Sequence, residues 1–181
     1  ILKLIQEYEI GQITWIVFSS TEERKKEAQN SAGQFLKEVS TKKVIVETFR
    51  DGFFPWQGAE MKEYFEKLKK TISPDVIFTH YRDDRHQDHR VISDLTWNTW
   101  RNHLILEYEI PKYDGDLGIP KFYIALEEKY INRKNQILLD AFQTQSTKHW
   151  FDESTFSALP RLRGMESATN YAEAFYVRKL V

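Results

Sequence analysis

The sequence has no cysteine, no excess of charge of either sign and no long apolar run. Without cysteine, both disulfide bonds and thiolate metal sites are excluded. The 26 basic and 27 acidic residues nearly cancel, so no basic excess argues for a nucleic-acid partner. No apolar run approaches the roughly 20 residues that span a bilayer. We therefore expect no membrane span and no nucleic-acid partner, and the lack of cysteine is compatible with a cytoplasmic location.

At 181 residues the chain has the length of a single domain, residues 1–181, with enough material for a substantial core. Its first residues are not a signal peptide, because Lys3, Glu7 and Glu9 interrupt the apolar stretch and no cleavage site follows. The lack of an initiating methionine indicates a sequence that begins part-way into a longer protein. Neither a monomer nor a homo-oligomer is excluded.

Short apolar runs alternate with stretches of helical periodicity. The runs predict strands at 13–18, 44–49, 75–80, 104–110, 121–126 and 171–177. The periodic stretches predict helices at 1–8, 20–39, 61–72, 88–102 and 130–142. This alternation predicts an α/β fold of three layers, α/β/α, with a mostly parallel sheet and strands such as 13–18 buried on both faces. Doubly wound domains normally open on a strand, so the first strand is missing here.

Nine consecutive polar residues, RDDRHQDHR (82–90), separate the predicted strand 75–80 from the helix that follows. Three histidines, His80, His86 and His89, lie within ten residues at this point. Ligands in α/β folds bind beyond the carboxyl ends of the strands, which favours a functional site. A charged strand-to-helix loop is also an ordinary solvated turn. The residue types alone leave both interpretations open.

The cluster contains the residue types that metal and acid–base chemistry require. Histidine is a common metal ligand and the usual general acid or base near neutral pH. His86 and His89 are three residues apart, so one helical turn aims both into the same space. Asp88 is placed to accept a hydrogen bond from an imidazole N–H, although an aspartate at a helix start is also an ordinary cap.

The stretch PDVIFTHYRDDRHQDHR resembles the second motif of the PIG-L/LmbE-like zinc-dependent de-N-acetylases, a Pro-Asp-led strand followed by His-x-Asp-His. Four other stretches resemble segments of that family in the same order: ERKKEA (23–28), RDGFF (50–54), KNQILLDAFQTQ (134–145) and RGMESATNYAEAF (163–175). The resemblance covers nearly the whole chain. It implies a Rossmann-like fold and hydrolysis of an N-acetyl group, a linear amide, usually on a small-molecule amino sugar such as N-acetylglucosamine.

Carried over by position, the resemblance implies His89 as a zinc ligand, His86 as the group that faces the substrate carbonyl and Asp88 as the supporting carboxylate. The family's first motif, Ala-His-Pro-Asp-Asp, supplies the other ligands and the general base, and it is absent here. A catalytic zinc typically has three protein ligands. We expect the remaining ligands for Zn²⁺, or another divalent metal, from a segment that precedes Ile1, with Asp84 and His86 as alternatives.

Two other functions stay open at this point. One is a catalytically degenerate homologue that binds a sugar or a nucleotide. The other is a metallohydrolase of another class, such as a phosphoesterase, since clusters of aspartate and histidine also hold two-metal sites.

Three further residues are candidates for substrate binding. Arg24 suits a bidentate grip on phosphate or carboxylate, with an ion pair to Glu27 or Asp51 as its alternative. Asp51 is a candidate for sugar hydroxyls, with a plain Asp-Gly turn as its alternative. Asp84, in the polar cluster, is the third. We expect the polar loop 108–120 to lie near the site and to contribute to specificity.

Overall fold

The structure, a computed structural model, describes residues 1–179 as a mixed α/β chain. Its strands are β1 (Ile13–Val17), β2 (Lys42–Val46), β3 (Val76–His80), β4 (Leu104–Tyr108), β5 (Phe122–Leu126) and β6 (Tyr171–Val177). Its α-helices are α1 (Leu2–Glu7), α2 (Glu22–Phe35), α3 (Gly58–Thr71), α4 (Gln87–Thr99), α5 (Glu128–Ala141) and α6 (Glu153–Glu166). Short 3-10 helices cover Phe54–Gln57 and Gln143–Gln145. The predicted α/β class is confirmed, and the order of elements opens on a helix as the sequence indicates.

The strands form two sheets. β1 pairs with β2 in parallel, and the second sheet has the order β3-β4-β6-β5. There β3 and β4 are parallel, whereas β4 and β6 are antiparallel. The prediction that β1 is buried on both faces is wrong, because every residue of β1 is only half-buried. Within residues 1–179 its sheet has two strands, so one edge of β1 has no neighbouring strand there.

The chain divides into two compact units, each built from two separate stretches of sequence. The first contains Ile1–Phe49 and Ala125–Glu173, and the second contains Arg50–Ile124 and the segment that begins at Ala174. The helical stripes predicted from the sequence supply core residues of both, Ala32, Leu36 and Val39 in the first and Met61, Phe65 and Leu68 in the second. The single-domain organisation of the whole chain stays a prediction.

Helix α6 was not predicted from the sequence. Pro160 lies inside it, and proline normally interrupts a helix because it lacks an N–H donor. The helix nevertheless begins at a clear cap, since the carboxylate of Asp152 accepts a hydrogen bond of 2.7 Å from the Thr155 N–H.

In the second unit, β3 and α4 fix the two ends of the polar turn. β3 pairs with β4 as far as His80 and Tyr108, and the Tyr81 N–H extends the ladder by donating to the Tyr108 carbonyl at 2.9 Å. The hydroxyls of Thr79 on β3 and Thr96 on α4 lie 3.2 Å apart and are buried. The turn between them therefore starts and ends on fixed backbone.

Among residues 1–179, no helix is both long enough and apolar enough to cross a membrane.

Candidate active site

Three imidazole rings stack at the carboxyl end of β3. The ring centroid of His89 lies 4.3 Å from that of His80 and 4.5 Å from that of His86. His86 is the N-cap residue of α4. Burial, reinforced by the neighbouring His89, lowers the pKa of His80 to about 3, so this ring is neutral near pH 7. The Nδ1 atoms of His80 and His86 are buried without a hydrogen-bond partner in the described part of the chain.

Asp84 organises this stack. Its Oδ1 accepts the backbone N–H of His86 at 2.8 Å, and its Oδ2 lies 3.0 Å from Nδ1 of His89. Burial would raise the pKa of Asp84, but hydrogen bonds from His89 and Lys112 outweigh it and lower that pKa. An ionised carboxylate only accepts, so Nδ1 of His89 carries a proton, and in the neutral ring the lone pair of Nε2 is then left for another partner.

Asp88 does not contact an imidazole, which corrects the role assigned to it from the sequence. Its Oδ2 accepts the Gly52 N–H at 2.6 Å and its Oδ1 accepts the Phe54 N–H at 3.1 Å. Gln87 adds a bond from its side-chain amide to the Gly52 carbonyl at 3.0 Å. Gly52 has a φ of 79°, in the region that favours glycine. The imidazole-supporting position belongs to Asp84, and Asp88 fixes the 50–54 segment to the start of α4.

The expectation that Asp84 binds substrate is also corrected. The side chain is only 2% exposed, and both of its oxygens are occupied by protein donors. The same occupation argues against Asp84 as a substitute metal ligand. Asp88 is equally buried at 2%, so the turn is not simply a solvated loop.

Part of the polar cluster serves the scaffold. Arg82 donates through Nε and Nη2 to Oε1 of Glu107, at 3.0 and 2.9 Å, and Trp97 donates to the same oxygen at 2.8 Å. Glu107 is fully buried on β4. Arg90 donates to the Asp84 carbonyl at 2.9 Å. Both arginines hold the turn, and the charge of Arg82 is paired with the buried carboxylate of Glu107.

Two residues of the 108–120 loop, Lys112 and Asp116, join the site although the sequence reasoning did not single them out. The Nζ of Lys112 lies 3.0 Å from Oδ2 of Asp84 and donates to Oδ1 of Asp116 at 2.6 Å. Asp116 in turn accepts the Arg85 N–H at 2.6 Å. The available signal was the polar composition of this loop, which supported its predicted place near the site but named no residue in it.

Asp51 and Arg24 lie in different units. Asp51 is exposed in the turn whose Gly52 is bonded to Asp88. In the first unit, Arg24 lies 3.7 Å from the carboxylate of Glu27, and its Nη1 donates to the Thr144 hydroxyl at 3.3 Å. The predicted pair of Arg24 with Glu27 is thus formed, and substrate contact by Arg24 and Asp51 stays a prediction.

A zinc ion fits this cluster through one residue. A ligand histidine characteristically donates its other ring N–H to a carboxylate, and His89 does so to the buried Asp84. Within residues 1–179, however, no group of three or more ligating side chains is arranged to hold a metal ion. Residues 1–179 therefore offer one candidate ligand, His89, and not a complete coordination shell.

Solved structures of similar fold include several proteins of low sequence identity. The conserved protein TT1542 from Thermus thermophilus matches with a TM-score of 0.68 and 17% identity, over 93% of this chain and 82% of that one. The A40926 pseudoaglycone deacetylase Dbv21 matches with a TM-score of 0.69 and 18% identity, over 99% and 91%. The N,N'-diacetylchitobiose deacetylase from Pyrococcus horikoshii matches with a TM-score of 0.64 and 16% identity, over 92% of this chain and 72% of that one. At these identities the likeness shows the fold.

No curated protein matches the chain in sequence. The sequence model of one family, described as PIG-L: GlcNAc-PI de-N-acetylase, matches residues 7–100. This match spans slightly more than half of the 181 residues and includes the β3–α4 turn with its His-x-Asp-His. The chain therefore belongs to the PIG-L family.

Proposed function

We propose that this protein is a metal-dependent hydrolase that removes an N-acetyl group from a small amino-sugar-containing substrate. The observation that carries the proposal is the Asp84-supported imidazole of His89 beside His86, at the carboxyl end of a parallel strand. Membership in the PIG-L family supports it. The names of two structures of similar fold, an A40926 pseudoaglycone deacetylase and a diacetylchitobiose deacetylase, support the same reaction class.

His89 would hold the metal, Zn²⁺ or another divalent ion, through its free Nε2. When bound, zinc supplies Lewis acidity toward the acetyl carbonyl and a water whose pKa is about 7. Because a catalytic zinc typically has three protein ligands, we propose that the others come from outside residues 1–179. Asp84 keeps His89 in the tautomer that presents this lone pair.

His86 is placed to meet the charge that develops on the substrate. Its ring lies 4.5 Å from that of His89, and its backbone is fixed by the bond to Asp84. As the N-cap of α4 it sits where the helix dipole favours negative charge. We assign it to stabilise the tetrahedral oxyanion or to protonate the leaving amine, a contribution of about 3 kcal/mol for one such donor.

The remaining candidate residues, Asp88, Asp51 and Arg24, have different proposed roles. Asp88 is a positioning residue, because it bonds the backbone of Gly52 and Phe54 and keeps the exposed Asp51 beside the start of α4. From there Asp51 would accept hydrogen bonds from sugar hydroxyls. Arg24 would bind an anionic or polar group of the substrate while it keeps its pair with Glu27.

A second candidate function is a sugar-binding homologue without catalysis. The observation that favours it is the lack of a complete metal-ligand group within residues 1–179. A hydrolase should bind zinc and release acetate, whereas a binding protein without catalysis should release no acetate. One experiment that measures both zinc content and acetate release therefore separates the two functions.

The test uses the full-length protein with zinc and a panel of N-acetyl amino sugars. We expect acetate release by the wild type, loss of both zinc and activity in His89→Ala, and zinc retention with about a 100-fold or larger fall in kcat in His86→Ala. His149→Ala, at an exposed histidine outside residues 80–89, is the matched control and should behave as wild type.

Unchanged zinc content and acetate release in His89→Ala would sink the assignment. Sugar binding by the wild type without zinc or acetate release would support the binding homologue. Phosphate release from sugar phosphates, in place of acetate release, would indicate a phosphoesterase.

A further inference from the structure

Lys112 places a buried ammonium between two carboxylates. Its side chain is 14% exposed, and its Nζ lies 3.0 Å from Oδ2 of Asp84 and 2.6 Å from Oδ1 of Asp116. A buried charge is tolerated when it is paired and hydrogen-bonded, and both partners here are themselves almost fully buried. This lysine is therefore fixed in place, unlike a surface lysine.

The oxygen of Asp84 that contacts Lys112 is the same oxygen that faces His89. Its Oδ2 lies 3.0 Å from Lys112 Nζ and 3.0 Å from His89 Nδ1. The other oxygen, Oδ1, accepts the His86 N–H. Three donors thus define the rotation of one carboxylate, and Lys112 is the only one of the three outside the β3–α4 turn. Removing it would leave Oδ2 with the imidazole alone.

The loop that carries Lys112 is anchored again at its far end. The Gly118 N–H donates to Oε1 of Glu109 at 2.8 Å, and the Tyr176 hydroxyl donates to the same oxygen at 3.0 Å. A Cβ at Gly118 would collide with the Tyr176 hydroxyl, and that ring stacks on Tyr81 at 4.0 Å. Only glycine allows this approach without displacing the stacked rings.

Near these two anchors the loop turns apolar side chains outward. Tyr113, Leu117 and Ile119 are 79%, 42% and 73% exposed. The loop is joined to the β3–α4 turn through the Lys112 ammonium, which contacts Asp84, and through the Asp116 carboxylate, which accepts the Arg85 N–H. Of these two contacts, the one made by Lys112 reaches the carboxylate that faces His89.

We propose that Lys112 is a positioning residue for His89, and that it couples the 109–120 loop to the imidazole that holds the metal. The inference rests on the proposed function for the role of His89. The orientation of the imidazole itself is independent of that role.

The test compares zinc affinity of the full-length protein by competition with a chelator. Lys112→Met keeps the aliphatic length and removes the ammonium, and we expect its zinc Kd to rise at least about tenfold, as for other partners that orient a ligand. Lys112→Arg keeps the charge and should recover most of the affinity. Lys121→Met, at an exposed lysine just beyond the loop, is the matched control and should leave Kd unchanged. If Lys112→Met does not fold, Lys112→Gln replaces it, and we expect its zinc Kd to rise several-fold.

One readout separates positioning from a general structural role. In the metal-free protein, the Nδ1 proton of His89 should exchange with water about tenfold faster in Lys112→Met than in wild type, measured by NMR.

Wild-type zinc Kd and wild-type proton exchange in Lys112→Met would overturn the inference and leave the proposed function standing. A wild-type protein that binds no zinc would overturn the proposed function, and the exchange of the His89 proton would still decide whether Lys112 positions that ring.

Discussion

Two segments are bonded to the β3–α4 turn, and they are held in different ways. The 50–54 segment is held by the carboxylate of Asp88, which accepts backbone N–H groups and reaches no imidazole. The 109–120 loop is held by the side chains of Lys112 and Asp116, and its bonds share the oxygen that supports His89. We expect the first attachment to stabilise the scaffold and the second to support the proposed metal site. Damage to the first should appear mainly in stability, and damage to the second mainly in metal binding.

The largest stability effect is expected from Asp88→Ala. The substitution leaves the N–H groups of Gly52 and Phe54 without their acceptor, and an unpaired buried donor costs about 1–3 kcal/mol. We expect the free energy of unfolding to fall by about 3 kcal/mol in chemical denaturation, with a smaller proportional loss of zinc affinity than in Lys112→Met. Asp94→Ala, on the exposed face of the same helix, is the control.

The comparison fails if Asp88→Ala is no more destabilising than Asp94→Ala. It fails equally if Asp88→Ala weakens zinc binding more than Lys112→Met does, because Asp88 would then act on the imidazole after all.

A smaller effect, visible in the pH dependence of stability, is expected from Asp116→Asn. Burial raises the pKa of Asp116, but hydrogen bonds from Lys112 and the Arg85 N–H outweigh it, so the pKa lies below its usual 3.8. A carboxyl with a lowered folded-state pKa stabilises the fold above its ordinary pKa, and the contribution is lost as the pH falls below it. Asp116→Asn should therefore lower the free energy of unfolding by about 1 kcal/mol at pH 7. Below about pH 4 the stability of the variant should fall less steeply with pH than that of the wild type. Thermal melts from about pH 7 to about pH 2.5 measure the loss of stability at pH 7 and its pH dependence. An equally steep fall of stability in acid in the variant would contradict the stabilising role of the Asp116 carboxylate.

Periodicity and strand-like runs predicted much of the fold. The six strands and five of the six α-helices follow from apolar spacing, because burial selects those positions directly. Helix α6 was not predicted, because it contains Pro160 and has only a weak apolar stripe. Its one local signal in the sequence is the N-cap residue Asp152. The half-exposed state of β1 depends on how many strands pair with it, which a local pattern does not contain.

The cluster of three histidines at the end of β3 was predicted from the sequence, but the hydrogen bonds around it were not. The three histidines were found because they cluster at the end of a predicted strand. Asp88 was assigned the partner that Asp84 has. In sequence Asp88 is adjacent to His89 and Asp84 lies five residues away, but the backbone geometry of the turn brings Asp84 to the imidazole and Asp88 to the 50–54 segment. Lys112 and Asp116 reach the site through the pairing of β4 with β3, a long-range contact that no local motif encodes.

The central claim is that Asp84 holds the imidazole of His89 with Nδ1 protonated and Nε2 free. The most direct test is the tautomer of His89 in the metal-free protein at mildly alkaline pH, read from the ¹⁵N shifts of its two ring nitrogens by NMR. The structure predicts a protonated Nδ1 and an unprotonated Nε2 in the wild type, with a mixture of tautomers in Asp84→Ala. A wild-type ring that carries its proton on Nε2 would contradict the account, because the lone pair assigned to the metal would not exist.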